Sequence, residues 1–168
     1  MSAPDSSAAF ATPQNQPIVV RARDDPVEVL NFGPITGRIL EDGSRTENRL
    51  ATIHFTLAPS ATGPPALWHE MHDETILVLS GTLRFRLAGG RTLDCVKGDY
   101  VVFPPRTPAT FENPSGEEEA VFVNTFTPAY YVGYFRLLAK LAAEGVEMTP
   151  RVYEMAMARY ATVAAQGI

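Results

Sequence analysis

Between Ile18 and Pro128 the chain runs in short apolar stretches broken every few residues by Gly, Pro and Asp. Ile18-Val19-Val20, Val27-Glu28-Val29-Leu30 and Arg38-Ile39-Leu40 read as brief strands, set off by Asp24-Asp25-Pro26, Gly33-Pro34 and Asp42-Gly43. Arg49 to Leu57 is longer and alternates apolar with polar positions, the period of a half-buried strand. Arg91 to Lys97 reads as another strand, and Gly63-Pro64-Pro65, Gly89-Gly90 and Pro114-Ser115-Gly116 as loops. Many short strands at close spacing with such punctuation predict an all-β sandwich or barrel.

After Pro128 the period changes. Tyr131, Phe135, Leu138 and Leu141 fall at helical spacing over Tyr130 to Glu144, and Gly145 ends that run. Thr149-Pro150 then offers an N-cap followed by proline at the first helical position. The second helix is expected to continue through Val152, Met155, Ala156 and Tyr160, and the pair to pack on the outside of the barrel or brace a dimer. Before the first strand, residues 1–17 are rich in Ser, Ala, Pro and Gln and bury too little to offset ordering entropy, so a flexible arm is expected. The expected layout is an arm (1–17), a β-barrel (18–128) and a helical extension (129–168).

Two stretches carry a more specific pattern. Pro64-Pro65-Ala66-Leu67-Trp68-His69-Glu70-Met71-His72-Asp73-Glu74 leads through Thr75 to Ser80 into Gly81, and resembles the first cupin motif, G-x5-H-x-H-x3,4-E-x6-G. Gly98 to Asn113 resembles the second, G-x5-P-x-G-x2-H-x3-N, with Gly98, Pro104 and Asn113 in place. The resemblance covers roughly residues 49–128 and implies a cupin jelly roll, a double sheet of antiparallel strands. The closing helical pair is similar to that of many small single-domain, quercetin dioxygenase-like cupins. Such a family usually holds a metal on three histidines and a carboxylate. Here Glu74 matches the carboxylate and His69 the second histidine, whereas Leu67 stands at the first and Ala109 at the third. Arg106 replaces the motif's second glycine. A register that makes His69 the first histidine would put Met71 at the second, so one histidine of the first motif is missing either way.

A first-row metal needs three or four converging N, O or S donors. The mapped set supplies two, so no metal and no other cofactor are expected. His72, between two strands, reads as a surface residue and His54 as an ordinary strand residue. The single cysteine, Cys95, cannot form an internal disulfide and reads as a buried structural thiol.

The formal charge of −5 comes with no basic stripe or patch, which argues against nucleic acid or membrane as partner. No apolar run is long enough for a membrane span, and the start of the chain lacks the layout of a signal peptide, so a cytoplasmic protein is expected. The resemblance implies a homodimer and a small-molecule substrate.

Alternation along Glu74 to Leu79 puts Glu74, Ile76 and Val78 on one face. The resemblance turns that face into the barrel, towards Leu67, His69, Ala109 and Phe111. The expected site is a carboxyl and an imidazole in an apolar cavity, with Tyr100, Arg106 and Tyr130 offered as rim contacts. Burial moves both kinds of group towards neutrality, which suits proton exchange near pH 7. Three functions follow: metal-independent isomerisation, dehydration or cyclisation of an apolar molecule such as a polyketide or aromatic natural product; a metal-dependent quercetinase-like dioxygenase or decarboxylase that recruits a third ligand such as His72; and noncatalytic binding. A sugar isomerase is weaker, because the expected inner face is too apolar.

Overall fold

The structure is a computed structural model and describes residues 17–21 and 26–168. The arm expected over residues 1–17 lies outside the described residues, apart from Pro17. In chain order the strands are β1 (Val29–Asn31), β2 (Ile35–Glu41), β3 (Ala51–Leu57), β4 (Leu67–His69), β5 (Asp73–Ser80), β6 (Thr82–Leu87), β7 (Arg91–Val96), β8 (Tyr100–Phe103), β9 (Ala109–Glu112) and β10 (Ala120–Thr127). A 3-10 turn over Ala129–Tyr131 leads into helices α1 (Val132–Ala143) and α2 (Pro150–Ala158), and a last strand, β11 (Thr162–Ala164), follows. Ile18 to Val20 forms no strand and is largely exposed; no neighbouring ladder reaches it.

Two sheets face each other, with strand orders β1-β2-β3-β10-β5-β8 and β11-β4-β9-β6-β7. Every pairing between named strands is antiparallel. Side-chain alternation supplies the core. Ala51, Ile53, Phe55 and Leu57 of β3 and Ala120, Phe122 and Phe126 of β10 are buried, while Thr52, His54 and Thr56 turn to the other face. The same rule sorts β5 as expected: Ile76 and Val78 are buried, whereas Leu77 and Leu79 are exposed on the outer face beside Tyr100.

The motif residues have structural reasons to be what they are. Asn113 Nδ2 donates to the carbonyls of Leu57, Ala58 and Glu118 at 3.3, 3.0 and 2.7 Å. Its Oδ1 accepts the amide of Ser115 at 3.0 Å. One buried side chain thus ties the end of β3 to the β9–β10 loop. Gly81 joins β5 to β6 at φ +70°, where an added Cβ would run into the Glu119 carbonyl. Arg106 keeps the left-handed backbone, φ +65°, that a glycine would adopt without strain.

The C-terminal elements depart most from expectation. Thr149 Oγ1 does cap α2, accepting the Val152 amide at 3.4 Å. The helix nevertheless ends at Ala158, and the chain returns as β11 to pair with β4, Thr162 opposite His69 and Ala164 opposite Leu67. The β4 edge offers unmet backbone groups, and the β-branched Thr162-Val163 pair suits a strand. Arg136 of α1 ties the helical pair to the first sheet, bonding Glu28 at 2.6 Å and Asp42 at 2.8 Å and holding the Asp42 carboxyl well below the usual range. Among the described residues no helix is long and apolar enough to cross a membrane.

Asn113→Ala removes the side-chain donor shared by the Leu57, Ala58 and Glu118 carbonyls and the acceptor of the Ser115 amide. Urea unfolding is expected to show a loss of about 2–4 kcal/mol, with the slope unchanged.

Candidate functional site

Between the sheets lies a cavity of about 340 Å³, near the lower end of the range for small-molecule sites (roughly 300–1,000 Å³). Its wall is built from the inward positions of the strands: Phe55, Leu67, Ile76, Phe85, Phe103, Ala109 and Phe111. Helix α1 and the turn before it close one side with Tyr131, Tyr134, Phe135 and Leu138, and Met148 and Tyr153 continue that side. The helical pair is therefore part of the cavity wall, which corrects the expectation that it only covers the exterior. The stripe Tyr131, Phe135, Leu138 was legible as an apolar face, but periodicity does not say what such a face covers. Exposed Pro34, Thr62 and Ala142 mark where the cavity meets solvent.

Two ionisable groups of opposite kind meet in this wall. His69 Nε2 lies 3.2 Å from Glu74 Oε2, a hydrogen bond that requires one proton between them. Glu74 Oε1 accepts the Asn124 amide at 3.0 Å, and the same Nδ2 donates to the Thr75 carbonyl at 3.0 Å. On the other side of the ring, His69 Nδ1 meets Thr162 Oγ1 at 2.9 Å. Among the described residues the ionisable side chains on the wall are His69, Glu74, Tyr131, Tyr134 and Tyr153, and no lysine or arginine reaches it. Burial, reinforced by Tyr134 and Glu74, raises the Tyr131 hydroxyl well above its ordinary range. Burial, then Tyr153, raises Tyr134 likewise, so both phenols stay protonated. Tyr134 Oη is buried and bonded to no protein group.

Of the expected site residues, the fold brings Leu67, His69, Glu74, Ile76, Ala109 and Phe111 to one cavity. Val78 is a correction: it points inward, but further along β5, opposite Phe122, where the barrel is filled. Tyr100 is a second. It pairs with Leu77 on the outer face and is 61% exposed, because its alternation phase is opposite to that of Val101 and Phe103. Arg106 is also outside, where its Nε donates to Glu70 at 2.9 Å. Tyr130 sits behind the site, against His72.

His72 is the third correction. It is 1% exposed, stacked on His69 with ring centroids 3.9 Å apart and enclosed by Phe126, Tyr130 and Tyr131. A link between strands need not lie on the surface when aromatic side chains from β10 and the 3-10 turn cover it. Burial, then the neighbouring His69, pulls its pKa down to about 3. His54 is half-buried on the outer phase of β3, between Arg38 and Val123, away from the cavity.

Asn124 and Thr162 were missed. Asn124 carried a signal: a polar residue at an inward phase of the alternating run Ala120 to Thr127. Thr162 carried none, since only the return of β11 puts it beside His69.

The residues do not fit the metal that the motif family would imply. Leu67 and Ala109, opposite each other in the β4–β9 register, put carbon where two ligands would stand. Glu74 and His69 bond each other, and His72 turns Nδ1 to Tyr130 at 3.2 Å. Among the described residues no three His, Cys, Asp or Glu side chains form a group able to hold a metal ion.

Comparison with known proteins agrees with the architecture. The family model described as "Cupin domain" matches residues 53–126. No curated protein matches the sequence. Among solved structures, the polyketide cyclase RemF from Streptomyces resistomycificus superposes with TM-score 0.57 at 23% identity, covering 67% of this chain and 80% of its own. Ectoine synthase from P. lautus gives 0.55 at 15% identity, covering 69% and 84%. An RmlC-like cupin from Shewanella frigidimarina gives 0.53 at 18%, covering 64% and 88%. At these identities the likeness is one of fold.

A histidine whose pKa is depressed on folding stabilises the fold above its unfolded pKa, and that stability is lost as pH falls towards the folded value. For His72 the window runs from about 6.5 down to about 3. Between pH 6.5 and 4.5, above the main carboxylate range, urea stability of the wild type is expected to fall more steeply than that of His72→Gln. Parallel curves would refute a buried neutral His72.

Proposed function

Because a cupin-domain model matches residues 53–126, yet carbon side chains stand at two of the places where that family's ligands stand, we propose that this chain is a metal-independent enzyme. It moves protons on an apolar, uncharged small molecule and so isomerises, dehydrates or cyclises it. The observation that carries this reading is the His69–Glu74 hydrogen bond at 3.2 Å inside an otherwise aromatic cavity.

An imidazole and a carboxyl that share one proton can take a proton from carbon and deliver one to oxygen. Isomerisation, dehydration and aldol-type cyclisation all consist of those two transfers. In a dehydration the C–H proton passes to the basic member of the pair. The acidic member protonates the departing hydroxyl, water leaves and a C=C bond forms. Low dielectric around the pair strengthens its interaction with charge that develops on the substrate.

The wall also favours one class of substrate. Phe55, Phe85, Phe103, Phe111 and Phe135 offer ring faces and edges to a flat, unsaturated molecule. With no lysine or arginine among the described residues of the wall, a carboxylate or phosphate would enter without a counter-charge from them, which is costly. Tyr134 Oη, a buried donor without a protein partner, suits a carbonyl or phenol oxygen of the ligand. A fused-ring aromatic ketone, of the polyketide kind, meets all three requirements. The shared fold of a polyketide cyclase is in keeping with this choice by analogy only.

Fused-ring aromatic ketones and phenols are the compounds to titrate first, by calorimetry, with turnover followed by mass spectrometry. Glu74→Gln is expected to keep binding within a few-fold and to lower turnover by roughly 10²–10⁴-fold, the range for a lost acid–base group. Unchanged turnover in that variant would overturn the proposal.

Tyr134→Phe is expected to weaken binding about 10-fold, corresponding to one net hydrogen bond of roughly 1 kcal/mol or somewhat more. Elemental analysis of protein purified without chelators or metal-affinity resin should find only sub-stoichiometric transition metal. A near-stoichiometric metal whose removal abolished turnover would also refute the reading.

A further inference from the structure

Between α2 and β11 the main-chain carbonyl of Tyr160 receives two hydroxyl groups. Thr162 Oγ1 donates to it at 3.1 Å and Tyr130 Oη at 3.3 Å. Each of these hydroxyls also meets a buried imidazole: Thr162 Oγ1 lies 2.9 Å from His69 Nδ1, and Tyr130 Oη lies 3.2 Å from His72 Nδ1. Gly133 makes this placement sterically feasible, since a Cβ there would stand 2.7 Å from the Tyr160 ring.

A hydroxyl has a single proton and a carbonyl has none. If either hydroxyl gives its proton to the carbonyl, it can only accept from the imidazole it faces. Giving the proton to the ring would leave the carbonyl short of that donor. Among the described residues no backbone N–H bonds to Tyr160 O. The carbonyl oxygen has two lone pairs and these two hydroxyls to fill them, so turning either proton to a ring leaves one lone pair without its donor.

We infer that the Tyr160 carbonyl, acting through Thr162 and Tyr130, holds both His69 and His72 in the Nδ1–H tautomer. Thr162 and Tyr130 are then positioning residues for the stacked pair, and both rings carry a bare lone pair at Nε2. His72 supplies an independent sign: its Nε2 is buried and has no partner. A buried acceptor without a partner is more readily tolerated than an orphaned N–H.

For the neutral ring of His69 the consequence is directional. With its proton fixed on Nδ1, Nε2 can only accept, so the proton of the dyad sits on Glu74. The resting site is then a carboxylic acid facing a free imidazole nitrogen, with Glu74 as acid and His69 as base. This assignment of roles rests on the proton-transfer reading above, but the tautomer itself does not.

The chain has three histidines, so long-range ¹⁵N–¹H correlation on uniformly labelled apo protein at pH 7 can resolve all three rings. His69 and His72 are expected to show protonated-type shifts at Nδ1 and unprotonated-type shifts at Nε2, with His54 as the outer-face reference. A wild-type His69 or His72 in the Nε2–H form, or doubly protonated, would overturn the inference without a variant. Thr162→Val is expected to move His69 alone towards the Nε2–H form, now donating to Glu74. Tyr130→Phe should move His72 alone, and Thr162→Ser should restore the wild-type pattern. A loss of packing in Thr162→Val would disturb both rings together, and that outcome would also count against a lock acting through one hydroxyl. Because the spectra read tautomers without substrate, their failure is distinguishable from an inactive or unaffected Glu74→Gln.

Discussion

A carboxyl inside an apolar barrel has to be met by hydrogen bonds, and much of this molecule is arranged around meeting one. Glu74 takes a bond from Asn124 on the neighbouring strand and shares a proton with His69 across the interior. His69 is in turn held by Thr162 at the far end of the chain. Strands β10 and β4 thus meet at this one side chain, and β11 supports it through His69. Removing any one of them leaves a buried polar group unpaired, at a cost comparable to a sizeable part of a domain's stability.

The same constraint explains why the cavity is otherwise greasy. A dyad that shares one proton is sensitive to every charge nearby, and the described residues of the wall supply none beyond the pair itself. Tyr131 and Tyr134, which line it, are held neutral by burial. His72, stacked on His69, is held neutral as well, so the barrel end contains a second imidazole without a second charge. Charged residues sit outside, in cross-strand pairs such as Arg84–Asp94 and Arg86–Glu112, where water screens their attraction.

The C-terminal forty residues are as much a part of the site as the barrel. Helix α1 supplies one aromatic wall, and β11 completes the edge of the second sheet while placing Thr162. The Arg136 bonds to Glu28 and Asp42 fix α1 against the opposite sheet. A barrel ending at Thr127 would keep Glu74, Asn124 and His69 in place. It would lack the wall that encloses them and the hydroxyl that orients the imidazole.

What the sequence determined by itself was whatever depends on local order. Period-two runs, Gly and Pro punctuation and the two motifs specified the jelly roll, and alternation put Glu74 and Ile76 on the inner face, because a strand's side chains must alternate. Alternation could not say how far the cavity extends, so Val78 was placed in it when the barrel there is filled. Nor could it supply the phase of β8, and Tyr100 was put at the rim when it lies on the outer face. His72 was taken for a surface residue because its sequence neighbours are polar; its cover comes from Phe126, Tyr130 and Tyr131, more than fifty positions away. Only the tertiary structure brought Thr162 to His69 and α1 to the cavity, since these are contacts between segments that share no local pattern. Local periodicity decides which way a side chain points, and long-range packing decides what it meets.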